Sequence, residues 1–374
     1  MTIVYLVNVD YFFISHRLPL AQEALRLGYE VYVVGQNMGH FDRLQSYGIK
    51  CIDLPVGRGH GNGWNDIVVF LSLCRIFKRL QPDVIHNITV KPIIYGSLAA
   101  GVFSRSTKVV NAVTGLGYAF VSEKPSFTRW FMILLLRLSS CFSPKKTSYI
   151  FQNEDDLGIY LKHGLSNRTN SILIRGAGVD ENYFSKKPRG EESSVVRIVL
   201  VSRMLRDKGV LDFAQAATLL YTKLKGQAQF ILVGGLDLDN PTGVTKKELE
   251  SVLIKDYLIW EGHRSDIREV YNETDIACLP SYYREGLPKS LIEAMAMSCP
   301  IITTLATGCK ECVDDGINGY LVPPKSPEVI ADRILRLVEQ PGLRKRMGEA
   351  SRNKMLMDMS LSKVVSQTFA LYES

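Results

Sequence analysis

Short runs of apolar and β-branched residues alternate with longer stretches of helical periodicity along this chain, and the alternation runs through twice. In the first half the pattern predicts strands near Ile3–Val7, Val31–Val34, Val84–His86, Val109–Val113 and Tyr149–Phe151, separated by helices over Leu18–Leu27, Ile67–Leu80, Ile93–Val102 and Phe127–Phe142. A polar stretch rich in Lys, Arg, Glu and Ser, residues 185–194, interrupts the periodicity and reads as a linker. The same order then resumes, with strands at Ile198–Val201, Phe230–Val233, Leu258–Trp260, Ile276–Leu279 and Ile301–Thr303 and helices including Lys208–Leu220, Ser290–Met297 and Glu328–Leu337. Strand and helix in alternation build parallel, doubly wound sheets. The expected architecture is therefore α/β, with two doubly wound Rossmann-like domains, 1–185 and 195–355, facing a central cleft. Residues 356–374 read as a C-terminal helix that packs back on the first domain. Ligands of such sheets bind beyond the carboxyl ends of the strands, so the loops there should carry function.

The 374 residues suffice for two cores, and 46% hydrophobic against 22% charged residues excludes a disordered or fibrous chain. Seven scattered cysteines imply reduced thiols in a cytoplasmic setting and no disulfide framework. The first residues, Met1–Val7, read as a strand and not as a signal peptide, the first basic residue being Arg17. Near the middle the longest apolar run is Trp130–Leu136, far short of the roughly 20 residues that span a bilayer. A membrane-spanning protein is thus excluded, whereas a peripheral one is not.

The net charge of +7 is lopsided. Residues 1–187 hold 21 Lys and Arg against 13 Asp and Glu, residues 188–374 hold 24 against 25, and residues 101–150 alone hold seven against one. Such a local surplus suits an anionic surface or a phosphorylated ligand. Part of it flanks an amphipathic pattern, in which Phe127, Trp130, Phe131, Leu134, Leu138 and Phe142 share a helical face near Lys124, Arg129, Arg137, Lys145 and Lys146. General burial predicts that these apolar residues face the core, with the cations snorkelling outward. The alternative is a basic helix lying in an anionic membrane interface.

Two segments of the second half carry chemistry. Arg203 and Lys208 fall in the loop after a strand, where an Arg fork and a Lys point charge suit a diphosphate, although a solvated basic loop would look the same. Glu285 and Glu293 flank the start of a helix, and continuous helix over both would separate them by roughly 12 Å. That exceeds the about 5 to 9.5 Å of a glycoside-hydrolase acid and base pair. It suits the two ends of a nucleotide-sugar, with the backbone N–H groups of Gly286 to Lys289 favouring the phosphates at the helix start.

Residues 197–340 resemble the donor-binding domain of glycosyltransferase family 4, retaining enzymes of the GT-B fold. The likeness rests on Ser202-Arg203 with Lys208-Gly209, Val233-Gly234-Gly235, Gly262-His263-Arg264, Glu285 and Glu293 eight residues apart, and Asp315 to Pro324. Phe12 to Ala21, Thr89 to Pro92 and Thr114 to Tyr118 extend it to a subgroup that builds capsule, O-antigen and lipid-linked oligosaccharides, with N-acetylgalactosaminyltransferase-like members. The resemblance implies that Glu285 contacts the donor sugar and Glu293 the ribose, while Arg203 and Lys208 hold the diphosphate. Gly286, Leu287, Pro288 and Ser290 would complete the donor site, and the loop at Gly262, His263 and Arg264 would hold the base. His16, Lys91, Thr114 and Gly115 would line the cleft or meet the acceptor, His16 lying near the acceptor or the donor phosphate. Many relatives place a histidine where this chain has Thr114, so that imidazole's donor contact is replaced or absent here.

The expectation is a hexosyltransferase acting without a metal, with a UDP-sugar as donor substrate and a polyprenyl-diphosphate-linked glycan as acceptor, at the inner face of the cytoplasmic membrane. A GT-B-fold UDP-sugar 2-epimerase is the alternative enzyme class, and another nucleotide-sugar the alternative donor. Nucleic acid is not an expected partner, because no recognisable binding module accompanies the charge. Asp237-Leu238-Asp239 reads as a polar turn, Cys309 and Cys312 lack further zinc ligands, and the glycines of residues 57–63 do not match a dinucleotide fingerprint. His86, at the end of its expected strand, reads as a residue that could line the cleft.

Overall fold

The computed structural model describes residues 1–56, 63–103, 106–116, 127–187 and 195–373. Its chain divides into two compact units, Met1–Gly178 with Leu361–Ser374, and Val179–Ser360. The polar residues 188–194, Lys124, Gly117, Tyr118 and the glycine-rich stretch 57–62 lie outside the described residues.

The first unit holds β1 (Thr2–Val9), β2 (Glu30–Gln36), β3 (Lys50–Asp53), β4 (Val84–Ile88), β5 (Lys108–Val113), β6 (Thr147–Phe151) and β7 (Ser171–Leu173). They form one sheet in the order β3-β2-β1-β4-β5-β6-β7, parallel throughout. Successive residues of a strand point to opposite faces. Ile3, Tyr5 and Val7 accordingly enter one apolar cluster, while Val4 and Leu6 enter another. Both faces are covered, which is why β1 reads as an unbroken apolar run.

The second unit holds β8 (Val196–Val201), β9 (Ala228–Val233), β10 (Leu258–Trp260), β11 (Ile276–Leu279), β12 (Ile301–Thr304) and β13 (Gly319–Val322). Their order is β10-β9-β8-β11-β12-β13, again parallel throughout. The strand order reverses beside β1 in one sheet and beside β8 in the other. Such a reversal opens a ligand-binding crevice at the carboxyl ends of the two central strands.

Three strands have no counterpart in the sequence reading, β3, β7 and β13, and all three are sheet edges. β3 and β7 are partly exposed along their length and so lack the apolar run that marks a central strand, whereas β13 is a mostly buried strand of four residues. The helix expected from Lys208 starts later: a 3-10 turn, Arg206–Lys208, and a left-handed Gly209 precede helix Val210–Leu224.

Helix Pro341–Asp358 belongs to the second unit and helix Leu361–Glu373 to the first, where Val364, Phe369 and Tyr372 join the cluster of Ile3 and Tyr5. The Tyr372 hydroxyl lies 2.5 Å from Nδ1 of His86. His86 is therefore no crevice residue: β4 continues to Ile88, and His86 is fully buried, its pKa held well below the ordinary value by desolvation.

Helix Phe127–Phe142 also departs from expectation. Leu136 and Ser139 are buried, but Phe127, Trp130, Phe131, Leu134, Leu138 and Phe142 are all exposed. The face that general burial assigns to the core points away from it.

Candidate active site

At the reversal point of the second sheet, the loops after β8 and β11 are bound together by backbone. The Asp207 carbonyl accepts hydrogen bonds from the Tyr282 and Tyr283 amides, at 2.9 and 3.2 Å, and from the Ser281 hydroxyl at 3.2 Å. Gly209 has φ of 74°, and a Cβ there would lie 2.3 Å from the Pro280 carbonyl oxygen. Only glycine meets both demands. The result is to bring Lys208 to Glu285: Nζ stands 2.5 Å from Oε1, with side-chain exposures of 12% and 22%. The Tyr283 ring lies 5.7 Å from the same ammonium.

The loop after β12 supports Glu285 from the other side. A Cβ on Gly308, whose φ is 91°, would lie 2.2 Å from the Gly286 carbonyl oxygen, and the Thr304 hydroxyl donates to the Ser281 carbonyl. The following helix spans Lys289–Ala296 with Pro288 at its N-cap. Helical rise therefore does not extend over both carboxylates, and the 12 Å separation expected from continuous helix does not apply. Among the described residues the amides of Gly286, Lys289 and Ser290 meet no acceptor. Leu287 and Pro288 are buried, and the Ser290 carbonyl accepts from the Tyr271 hydroxyl at 2.7 Å. This loop and helix start thus present amides beside the Lys208–Glu285 pair, an arrangement suited to an anion.

Glu293 lies one turn into that helix, 3.3 Å from the Lys289 ammonium. Its carboxyl is raised above the ordinary carboxylate range by burial, against the lowering effect of Lys289.

The remaining loops close around the same edge of the sheet. The Gly234 amide donates to the Gly262 carbonyl at 2.7 Å, and the Trp260 indole to the Gly234 carbonyl at 2.9 Å. Gly235 faces His263, with 3.8 Å between a Cβ built on the glycine and that of the histidine. Arg264 is held by Asp266, through Nε at 2.7 Å, and by Glu261, so its guanidinium fixes the shape of the loop. Arg203 is paired with Asp237, which gives the turn at 237–239 a contact within the site that the sequence reading did not assign. Cys309 is buried, and its thiol is pushed up to about 12 by desolvation, with Glu285 adding to the shift.

In the first unit, the residues expected on the acceptor side follow three neighbouring strands. His16 ends helix Asp10–His16, which begins directly after β1, and its Nδ1 lies 2.6 Å from the Ser15 hydroxyl. Lys91 stands in the first turn of helix Val90–Phe103, after β4, and Thr114 and Gly115 follow β5. Asp10, which the sequence reading passed over, is fully buried and accepts from the Met38 and His40 amides at 2.8 and 2.9 Å. It ties the loop after β2 to the crevice, and a lone Asp directly after an apolar strand was its only signal.

Residues 181–354 match the family of glycosyl transferases group 1, and residues 2–153 the glycosyl transferase 4-like family. The chain is 28% identical over 342 residues to the N,N'-diacetylbacillosaminyl-diphospho-undecaprenol alpha-1,3-N-acetylgalactosaminyltransferase of Campylobacter jejuni, covering 88% of this chain and 87% of that protein. It is 25% identical to the UDP-Gal:alpha-D-GlcNAc-diphosphoundecaprenol alpha-1,3-galactosyltransferase of Escherichia coli, over 82% of this chain and 79% of the other. Among solved structures, HepE of Anabaena in complex with UDP and glucose superposes with a TM-score of 0.77 at 18% identity, over 100% of each chain. With two parallel doubly wound sheets and family matches over both halves, the chain belongs to the family 4 glycosyltransferases of the GT-B fold.

Proposed function

We propose that the enzyme is a retaining transferase that moves a hexose or N-acetylhexosamine, by preference N-acetylgalactosamine, from a UDP-sugar to a saccharide carried on a polyprenyl diphosphate. The observation that carries this reading is the Lys208–Glu285 pair beside the unbonded amides at the start of helix Lys289–Ala296. Together they offer a cation and dipoles for a diphosphate and a carboxylate for sugar hydroxyls. The names of the Campylobacter and Escherichia relatives support a lipid-linked acceptor and a galacto-configured donor.

In this reaction the bond from the sugar's anomeric carbon to the diphosphate oxygen breaks, and the bond from the acceptor oxygen forms on the same face. The acceptor's proton passes to the departing diphosphate. Lys208 and Arg203 stabilise the charge that develops there, which is the role a metal plays in other transferases, so transfer proceeds without one. Glu293 holds the ribose, the loop at Gly262–Arg264 holds the base, and His16, Lys91 and Thr114 serve the acceptor. Transfer takes place at the cytoplasmic face of the membrane, in the assembly of bacterial surface polysaccharide.

Glu285→Ala should fold normally, bind UDP and lose transfer, with wild-type turnover unaffected by EDTA. Normal turnover of the variant contradicts the site assignment. Incubation with the UDP-sugar alone separates the transferase from a 2-epimerase, which would convert the donor without acceptor.

A further inference from the structure

Helix Phe127–Phe142 is apolar on two sides. Its inner side packs through Leu136, with Met132, Ile133 and Leu135 against the same cluster as Ile93 and Phe151. At about 100° per residue, Phe127, Trp130, Phe131, Leu134, Leu138, Cys141 and Phe142 fall within a second stripe about 120° wide. This stripe is uncovered: Phe127 is 78% exposed, Trp130 60% and Phe142 61%. Phe127 stacks on Phe131, with ring centroids 6.2 Å apart, so the aromatic end is a continuous surface. At the other end the stripe continues into exposed Val102 and Phe103, because Gly101 abuts the Phe142 carbonyl.

An apolar stripe left facing water on a helix whose inner side is already packed marks a surface for another apolar phase or partner. Charge selects the phase. Residues 127–146 contain Arg129, Arg137, Lys145 and Lys146 and no Asp or Glu, and Arg137, Lys145 and Lys146 are exposed. An apolar stripe on a segment whose charged residues are all cations matches an anionic phospholipid interface, where aromatic side chains enter the headgroup boundary and cations meet the phosphates. No helix among the described residues is long and apolar enough to cross a membrane.

We infer that the outer face of helix Phe127–Phe142, extended by Val102 and Phe103, is a docking surface on which the protein lies flat against an anionic bilayer. It deepens the reading of a lipid-carried acceptor, since it brings the first unit to the surface where that acceptor resides, but it stands on the exposed stripe and its charge.

Cys141 supplies a reporter: it lies in the stripe and is exposed, whereas Cys51 is partly buried and the other five cysteines are buried. The full chain labelled at Cys141 with an environment-sensitive fluorophore is titrated with phosphatidylglycerol/phosphatidylcholine vesicles and with pure phosphatidylcholine vesicles. Emission should rise and shift to the blue with the anionic vesicles, at much lower lipid concentration than with the neutral ones. Trp130→Ser and Phe131→Ser should each weaken vesicle partitioning about tenfold. Lys145→Gln and Lys146→Gln should each weaken it about fivefold on anionic vesicles alone. UDP binding, a property of the second unit, should be unchanged in all four variants. Unaltered partitioning in the serine variants, or a spectral shift that grows with protein concentration in the absence of lipid and so marks a second copy on this face, overturns the inference. Loss of UDP binding in the wild-type protein would overturn the proposed transferase and leave the docking surface standing.

Discussion

The ammonium of Lys208 and the carboxylate of Glu285 meet at 2.5 Å although 77 residues of sequence separate them. Each holds the other in place before substrate arrives, and a preorganised charge costs no reorganisation during reaction. In the proposed reaction Lys208→Met removes charge stabilisation on the departing diphosphate, and it should lower kcat by about 100- to 1,000-fold. Glu285→Gln should lower kcat comparably while changing the Kd for UDP far less, since in the proposed reaction its carboxylate serves the sugar. Steady-state kinetics with parallel UDP calorimetry separate the two roles, and equal losses of UDP affinity in both variants would contradict them.

Gly209 makes that meeting possible. A methyl group there must displace the Pro280 carbonyl 2.3 Å away, at a φ of 74° that disfavours side chains. Gly209→Ala should shift Lys208 from Glu285 and reduce kcat/KM by about 100-fold, the scale for a 1 Å misplacement. Circular dichroism should show the fold retained, so that activity falls more steeply than structure.

Arg203, the proposed diphosphate ligand, is paired with Asp237, which competes for its guanidinium. Arg203 is 55% exposed, and solvent screening limits such a pair to about 1 kcal/mol or less. Asp237→Asn should therefore tighten UDP binding by up to about fivefold. Arg203→Ala should weaken it by about 10- to 100-fold, the range for hydrogen bonds to charged groups. Isothermal titration of each variant measures both effects, and weaker binding by Asp237→Asn would show that the carboxylate helps to hold the ligand.

Glu293 introduces a pH dependence. Burial favours its neutral form and outweighs Lys289, so its pKa stands above 4.5. The carboxylate is the form that accepts bonds from ribose hydroxyls. As pH falls, Glu293 takes up its proton before an ordinary glutamate does, and UDP affinity declines at a higher pH than a solvated carboxylate would give. Glu293→Gln should weaken UDP binding about tenfold at pH 7.5 and lose that part of the acid limb. An unchanged limb in the variant would assign the dependence to another group.

Much of the fold was legible in the sequence because central strands of a parallel sheet are buried on both faces and write themselves as apolar runs, as β1 and β8 do. The partly exposed edge strands β3 and β7 leave no such run. In the site, Lys208, Glu285 and Glu293 were marked by residue type and spacing, whereas the partners that place them were not. The Asp207 carbonyl acts through backbone, which carries no residue signal, and Asp237 meets Arg203 only because β9 lies beside β8. Phe127 to Phe142 misled for a related reason: periodicity reports that a face is apolar, not what covers it. Local charge was the better guide, since four cations and no acid lie within residues 127–146.

Product stereochemistry distinguishes retaining transfer from a UDP-sugar to a lipid-linked saccharide from inversion and from epimerisation. The purified chain is incubated with UDP-N-acetylgalactosamine and a polyprenyl-diphosphate-linked saccharide, and the new linkage is read by NMR. An α-linked product from the α-configured donor, absent with Glu285→Ala, is the predicted result. A β-linked product, or an epimerised UDP-sugar formed without acceptor, would contradict the account.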